Sequence, residues 1–498
     1  MEFASVFFLW VFLPLTLLLY YAAAVIRSDA LRLSVRNVIL LAASLLFYAW
    51  GGIKELLVPV CLILLTYGAG RLMSGPLAGS ERKTGRRLVL AGSVLLLLAV
   101  LAVFKYAGMV DGLAGVFRQP FTGGRALLRS LLQLESGSTG FLSLAVPLGL
   151  SFLIFQAIAY LADVCRGTVT AEKNLLTLAL YLLFFGQLTQ GPILRFGDFG
   201  GQIRTRRHSL EQAAEGIRRF CWGIGKKVLI ADTLGAAADA VWSSDPASLG
   251  TLQAWLGLLF YTLQIYYDFS GYTDMAIGVS GLFGFRIAEN FDLPYTSGSV
   301  REFWRRWHIS LSSWFRDYLY IPLGGSRQGM GRTLLNILIV FLATGIWHGA
   351  DLSFLMWGLW FAVFLILERL FLGKWLETRT GKILGHPYTL LSVMLGWVLF
   401  RAPSLYHALL YFRALFVPAP DAPGTSAASL LSAGVLLAVL AGILCCGVVR
   451  RPLRGVYEKI KDKTAFLIVQ YLAAILVFVW ALLTLIGGSY HPSIYANF

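Results

Sequence analysis

Residues 266–351 most constrain what this chain can fold into, because they place polar groups where the surrounding sequence is apolar. Asp268 and Asp274 lie inside an apolar segment, His308 lies between tryptophans, and His348 ends a short apolar run. An ionisable group within a membrane is costly and is usually retained for a function. We therefore expect the functional site in this stretch.

The composition indicates a polytopic membrane protein. Hydrophobic residues make up 57% of the 498 residues and charged residues only 14%, whereas a soluble globular chain has roughly a quarter charged residues. The net charge of +16 comes from Lys and Arg in loops between apolar runs, the pattern that orients helices in a membrane. Membrane lipid is therefore an expected partner, and nucleic acid is not.

Apolar runs predict the spanning helices, each of which needs about 20 residues. Long runs lie near 3–26, 35–52, 54–73, 88–106, 141–164, 174–194, 252–283, 352–372, 387–402, 428–449 and 465–487. Shorter or interrupted runs lie near 220–241 and 333–348. The sequence thus predicts an all-α membrane protein with about 11 spanning helices plus re-entrant or interfacial ones. We expect a single domain over 1–498, with the catalytic segment at 252–351.

Lys and Arg in short loops predict the orientation, because such loops stay on the cytoplasmic side. Basic clusters follow the first helix and recur at 71–87, 195–227 and 450–463. Both termini are therefore predicted to face outward. Residues 105–140 resist this scheme because alternation places them outside, and we interpret them as an amphipathic helix in the interface. Their positive charges are Lys105, Arg118, Arg125 and Arg129.

His348 follows an apolar run that is short for a membrane span. The 14 residues of 334–347 rise roughly 21 Å as a helix, less than the roughly 30 Å hydrocarbon core. Since the next run starts at Leu352, we expect the turn at membrane depth, with Gly345 and Gly349 allowing backbone or substrate to come close. His348 is then a general base or nucleophile. The alternative is a core histidine whose hydrogen bonds Asp351 satisfies.

Residues 301–325 alternate aromatic and cationic side chains, which is typical of an interfacial or re-entrant helix. Trp304, Trp307, His308 and Leu311 have the spacing of one helical face. This predicts that His308 points the same way as the tryptophans, as a partner of His348 or a group that orients substrate. The alternative is an aromatic belt with a buried, hydrogen-bonded histidine.

The two aspartates, six residues apart, would lie on different faces of a straight helix. Gly271 between them is expected to permit a break. Unpaired carboxylates in a membrane are costly, so we expect them to pair with arginines of 301–316. A structural ion-pair network and a catalytic role remain equally open. No phosphate-binding glycine loop or nucleophile-elbow motif is present, and no metal site is expected.

Several motifs together resemble the membrane-bound O-acyltransferase family, and its bacterial polysaccharide-modifying branch in particular. They are Tyr267-Asp268-Phe269-Ser270-Gly271-Tyr272-Thr273-Asp274, Asn290-Phe291, Phe303-Trp304-Arg305-Arg306-Trp307-His308, Asp317-Tyr318, Ile321-Pro322-Leu323-Gly324-Gly325 and Trp347-His348-Gly349. The resemblance implies a ring of tilted helices around a central tunnel, with His348 catalytic and His308 as the second histidine of that branch. The expected tunnel-lining or substrate-lining residues are Asp268, Asp274, Trp304, Trp307, Arg316, Trp347 and Asp351.

By resemblance, the protein takes an acyl group, expected to be acetyl, from a cytoplasmic thioester and passes it outward to an exported or cell-wall polysaccharide such as alginate. The donor is acetyl-CoA or an acyl carrier protein, and no bound cofactor is expected. A periplasmic or membrane-anchored acetyltransferase partner is expected to complete the transfer at a bacterial inner membrane. The basic loops 71–87 and 195–227 would suit donor phosphates, an acidic carrier or anionic lipid. D-alanyl transfer to teichoic acid is the alternative, and a transporter or flippase is the alternative from another class.

Overall fold

The computed structural model describes residues 1–77, 82–118, 146–417, 427–448, 453–488 and Ile494, and all regular structure in them is helical. This confirms the all-α prediction. The α-helices are Leu13–Ala22, Asp29–Ala49, Leu57–Ser74, Lys83–Arg118, Leu150–Arg166, Leu175–Leu183, Phe196–Thr205, Leu210–Gly225, Thr233–Trp242, Thr251–Leu282, Val300–Arg306, Ile309–Phe315, Gly329–His348, Leu352–Leu367, Gly373–Leu376, Arg379–Arg401, Leu405–Phe416, Ala433–Ile443, Arg454–Ile460 and Thr464–Ile486. Wider π-helical turns occupy Phe8–Phe12, Lys226–Asp232, Arg316–Tyr320, Glu368–Leu372 and Leu444–Val448.

Eight helical segments in the described residues are long and apolar enough to cross a membrane. They are Phe8–Val25, Asp29–Ala49, Ile53–Ser74, Lys83–Tyr106, Gly329–His348, Leu352–Leu376, Arg379–Arg401 and Thr464–Ile486. Seven of them match predicted runs, and the eighth is the segment that the sequence analysis took as too short. The multi-pass prediction is confirmed, whereas the count of about 11 is not.

Burial explains two of the four long predicted runs that are not among the eight. The helices Leu150–Arg166 and Thr251–Leu282 are buried along most of their length. A helix surrounded by protein does not need the hydropathy that lipid demands, so polar residues interrupt its apolar run. Ala433–Gly447 is apolar but short.

The run 174–194 was predicted as one span, and this is wrong. Its helix ends at Leu183, and irregular buried backbone follows. Gln187, in this irregular stretch, satisfies the end of the helix, because its Nε2 donates to the carbonyl of Tyr181 at 2.8 Å while its Oε1 accepts from Gln156 at 2.9 Å. Non-helical backbone within a membrane protein needs such internal partners.

The predicted interfacial helix at 105–140 lies partly outside the described residues, including Arg125 and Arg129. Up to Arg118, the chain continues the helix Lys83–Arg118 without a break. Lys105 and Arg118 therefore belong to a long helix rather than to a separate interfacial one.

The helix Thr251–Leu282, hereafter the aspartate helix, is continuous through Gly271, so the predicted break is wrong. A Cβ at Gly271 would lie 2.8 Å from the carbonyl oxygen of Gly223, and one at Gly223 would lie 2.7 Å from that of Gly271. Gly278 and Gly216 make the same reciprocal approach one heptad later. Small residues thus let the helix Leu210–Gly225 pack closely against the aspartate helix.

Two antiparallel helices, Gly329–His348 and Leu352–Leu367, form what we call the histidine hairpin. The first helix has 20 residues and rises about 30 Å, so the prediction that it is too short for a span is wrong. The helix begins five residues before Leu334, the start of the predicted run. The glycines Gly329 and Gly331 lower the hydropathy of these five residues, so the run did not include them. Gly345 lies against the backbone of Phe354 and Gly349 against its ring.

Candidate active site

His348 is the last residue of its helix and lies in an aromatic enclosure. Its side chain is buried. The centroid of its imidazole lies 4.6 Å from Trp347, 4.9 Å from Trp357 and 5.0 Å from Phe400. Trp304 lies behind this enclosure, edge-on to Trp357 at 5.6 Å. The close glycine contacts of the histidine hairpin hold Trp357 beside the imidazole.

His308 occupies a junction between two short helices rather than one face of a single helix. The helix Val300–Arg306 ends at Trp307, and Ile309–Phe315 begins after His308, whose φ is +44° and ψ is +57°. The prediction of one continuous face through Trp304, Trp307 and His308 is therefore wrong. A non-glycine residue in the left-handed region is strained and persists where surrounding contacts enforce it.

Asn290 supplies the contacts that enforce this junction. Its backbone carbonyl accepts a hydrogen bond from the Ile309 amide at 2.9 Å, and its Oδ1 accepts from the Ser310 amide at 3.0 Å. The same Oδ1 lies 3.2 Å from Nδ1 of His308. Because an amide N–H can only donate, that atom is an oxygen and Nδ1 carries the proton. Nε2 of the neutral imidazole then keeps its lone pair.

Aromatic residues join the two histidines. The ring centroid of Phe152 lies 6.5 Å from that of His308 and 6.2 Å from that of Trp347, the residue before His348. Phe269 of the aspartate helix packs edge-on against His308 at 4.7 Å. The structure thus brings the two predicted histidines into one buried region.

Buried polar atoms face this region without a visible partner. Nε2 of His308 and the indole N–H groups of Trp304, Trp347 and Trp357 have no hydrogen-bond partner among the described residues. Buried polar groups normally have partners. Unsatisfied donors beside an imidazole lone pair therefore fit a site that receives a polar substrate.

Asp268 lies in a buried ion cluster next to this region. Nζ of Lys227 lies 2.6 Å from Oδ1 of Asp232 and 2.9 Å from Oδ1 of Asp268, and all three side chains are at most 4% exposed. The amide of Ile494 donates to Oδ2 of Asp268 at 2.8 Å. Lys227 and Asp232 are five residues apart, and the wide π-helical turn brings residues at this spacing together.

Asp274 lies in a second ion cluster, on the same helix. The carboxylate of Asp274 forms ion pairs with Arg219 at 2.8 Å and with Lys226 at 2.5 Å. Arg219 also pairs with Glu289. The prediction that arginines of 301–316 pair with Asp268 and Asp274 is therefore wrong. Their partners come from residues 219–232, which the reciprocal glycine contacts hold against the aspartate helix.

The other predicted lining residues lie at different depths. Trp307 packs against Trp397 at 5.0 Å, next to Trp304. Arg316 is 61% exposed and donates to Asp317, so it points away from the histidines. Asp351 precedes the second helix of the histidine hairpin and is half-buried.

A large cavity opens at the other end of the histidine hairpin. Its volume is about 880 Å³, and the cationic side chains that line it are Arg301, Arg369, Lys374 and Lys382. Glu368 at the cavity wall is buried, and its carboxylate accepts hydrogen bonds from the backbone amides of Val300 and Arg301 at 2.6 and 3.0 Å. That carboxylate holds the start of the helix which leads through Trp304 to His308.

A family model for the membrane-bound O-acyltransferases matches residues 138–409, a range that contains both histidines, the aspartate helix and the cavity. The chain belongs to the membrane-bound O-acyltransferase family. It is therefore an acyltransferase, and the transporter alternative has no support. The resemblance stated from the sequence motifs is confirmed.

Known relatives agree with this membership. Over 421 residues the chain is 41% identical to "Probable alginate O-acetylase AlgI" of Pseudomonas putida, a match covering 84% of this chain and 80% of the relative. It is 31% identical to "Peptidoglycan O-acetyltransferase" of Helicobacter pylori, covering 81% of this chain and 77% of the relative. A "Teichoic acid D-alanyltransferase" of Bacillus subtilis is 28% identical, covering 52% of this chain and 70% of the relative.

Asn290, Lys227 and Lys105 were not among the site residues predicted from the sequence. Asn290 and Lys227 are almost fully buried, and Asn290 stands in a quoted motif. For Lys105 the available signal was a charged residue between two aromatic neighbours, Phe104 and Tyr106.

Proposed function

We propose that this acyltransferase takes an acetyl group from a cytoplasmic thioester and passes it outward for O-acetylation of an exported polysaccharide such as alginate. The names of the relatives at 41% identity support alginate as the substrate class. The D-alanyl alternative has weaker support, because that relative is 28% identical over half of this chain.

One observation carries this proposal. The helix that starts at the cationic cavity ends at the buried His348, and the second buried histidine, His308, lies in the same region. Thr333 lines the cavity and stands 15 residues before His348, which is about 22 Å along a helix. A thioester on a phosphopantetheine arm has its phosphates far from its carbonyl group. Donor phosphates in the cavity would leave the thioester free to extend toward His348.

In this mechanism His348 accepts the proton of the attacking hydroxyl as that oxygen bonds to the thioester carbonyl carbon. Collapse of the tetrahedral intermediate breaks the carbon–sulfur bond, and the proton passes to the sulfur. His308 orients the reacting groups through the lone pair on Nε2. The indole donors of Trp304, Trp347 and Trp357 hold polar substrate atoms.

The charge distribution supports a cytoplasmic position for the cavity. Arg327 and Arg332 flank the start of the first hairpin helix, and Arg369, Lys374 and Lys382 lie at the cavity. Positive residues between spans mark the cytoplasmic side. We therefore place the protein in a bacterial inner membrane with both termini outward and His348 toward the outer side. There a periplasmic or membrane-anchored acetyltransferase would receive the acetyl group.

Turnover by the purified protein in lipid vesicles tests the proposal. The probe is acetyl-CoA with a labelled acetyl group, and the measurements are released thiol and labelled ester on alginate. We expect both in the wild type and neither in His348→Ala. Transfer from a D-alanyl carrier protein with none from acetyl-CoA would contradict the assignment of the acyl group.

Cavity variants test the donor position separately. Arg301→Ser combined with Lys374→Ser is expected to raise the KM for acetyl-CoA about tenfold or more, because each phosphate contact from a cation is a charge-assisted hydrogen bond. Arg87→Ser, at an exposed position near the start of the helix Lys83–Arg118, is the control and should leave KM unchanged. The reverse pattern would move the donor site to the basic segment 71–87.

A further inference from the structure

Lys105, one of the basic residues that did not fit the predicted orientation, contacts the helix Gly329–His348 near its end. Its Nζ donates a hydrogen bond to the backbone carbonyl of Trp347 and lies 5.5 Å from the centroid of that indole. The hydroxyl of the next residue, Tyr106, donates to the carbonyl of Ile346. Two consecutive side chains of the helix Lys83–Arg118 therefore hold the last two carbonyls before His348.

Capping alone does not account for a lysine here. Tyr106 shows that a neutral hydroxyl satisfies a carbonyl at the same helix end. A cation inside a membrane costs more than the attraction of a helix C-terminus returns. The charge itself is therefore the feature that needs an explanation.

Acyl transfer provides that explanation, and the argument here rests on the proposed function. As the hydroxyl oxygen bonds to the thioester carbon, negative charge develops on the carbonyl oxygen and then on the departing sulfur. A fixed positive charge nearby stabilises this state strongly where water is excluded. The amino group of Lys105 contacts both the carbonyl and the indole of Trp347, the residue before His348.

We propose that Lys105 is a positioning residue for acyl transfer. Its ammonium group fixes the last turn of the His348 helix through the Trp347 carbonyl and supplies the positive charge next to which the tetrahedral intermediate forms. The residue acts through the backbone and the local field, so substrate binding at the cavity does not depend on it.

Three variants separate charge from capping. Lys105→Gln keeps a donor and removes the charge, Lys105→Arg keeps both, and Tyr106→Phe removes only the neighbouring neutral cap. Thiol release from acetyl-CoA is measured in vesicles. We expect Lys105→Gln to lower kcat about tenfold to a hundredfold with KM unchanged, Lys105→Arg to recover most of it, and Tyr106→Phe to stay within a few-fold of wild type.

Three results would overturn the proposal. They are an unchanged kcat in Lys105→Gln, an arginine variant no faster than the glutamine one, and an equal loss in Tyr106→Phe, which would mean capping only. Melting of each purified variant in detergent identifies misfolding, and the arginine variant keeps the test decisive if glutamine unfolds the protein. A wild-type protein that releases no thiol would refute the proposed function instead, before any Lys105 variant is compared.

Discussion

Gly345 lies directly against the backbone of Phe354, so that a Cβ at Gly345 would stand 2.4 Å from the Phe354 carbonyl oxygen. The two helices of the histidine hairpin must therefore separate to accept a side chain there. We expect Gly345→Ala to cost about 1–3 kcal/mol of stability and to lower activity, because His348 lies one turn further along. Gly331→Ala on the same helix is the control, since nothing lies within 4 Å of that position. Equal melting temperatures for the two variants would contradict this packing.

Because His308 has a left-handed backbone, two substitutions can separate the role of its side chain in transfer from its effect on stability. Alanine at φ +44° costs roughly 1–2 kcal/mol, whereas glycine carries no such penalty. We expect His308→Gly to melt at or above the temperature of His308→Ala, with transfer strongly reduced in both. Transfer by the glycine variant at the wild-type rate would show that His308 has only a structural role.

The buried cluster around Lys227 predicts a large cost when its cation is removed. In Lys227→Met, the carboxylates of Asp232 and Asp268 face each other without the ammonium group, a loss of about 3–5 kcal/mol. Arg218→Met in the preceding helix is the control, because its partner Glu215 is 51% exposed and such pairs contribute roughly 0–1 kcal/mol. Thermal melting in detergent measures both, and similar losses would argue against a buried ion cluster.

We expect protonation of His208 in acid to lower the stability of the protein. Burial, together with the charges of Arg36 and Arg206, lowers its pKa from 6.5 to about 4. Its Nε2 lies 2.7 Å from the hydroxyl of Tyr20. Between these two pKa values the unfolded state binds a proton that the folded state does not, so stability falls as pH drops through this range.

His208→Gln removes that titration. We expect the melting temperature of wild type to fall more steeply than that of the variant between pH 6.5 and about 4, with the two curves parallel above this range. Curves that stay parallel throughout would show that His208 does not titrate in this way.

Local sequence features predicted much of this molecule. Apolar runs located seven of the eight helical segments in the described residues that are long and apolar enough to cross a membrane, and the family motifs located both histidines. The twenty-residue helix before His348 was underestimated, because its first turn contains glycines and an arginine rather than apolar residues. The single domain over 1–498 and the catalytic segment 252–351 remain predictions.

Long-range contacts account for what the sequence could not supply. The turn at His308 depends on Asn290, 18 residues earlier. The periodicity of the residues around His308 therefore gave no sign that the helix is interrupted there. Lys and Arg partners of Asp268 and Asp274 come from a segment that reciprocal glycine contacts bring close, whereas the sequence analysis expected the arginines of 301–316. Lys105 reaches the carbonyl of Trp347 from 242 residues away.

The central claim is that His348 carries acetyl transfer to an exported polysaccharide. The most direct measurement is the O-acetyl content of that polysaccharide in cells with the wild-type protein, with His348→Ala, or with no copy. We predict that the variant matches the cells without a copy while its amount in the membrane equals that of wild type. Wild-type acetylation in cells that carry only the His348→Ala protein would contradict the account.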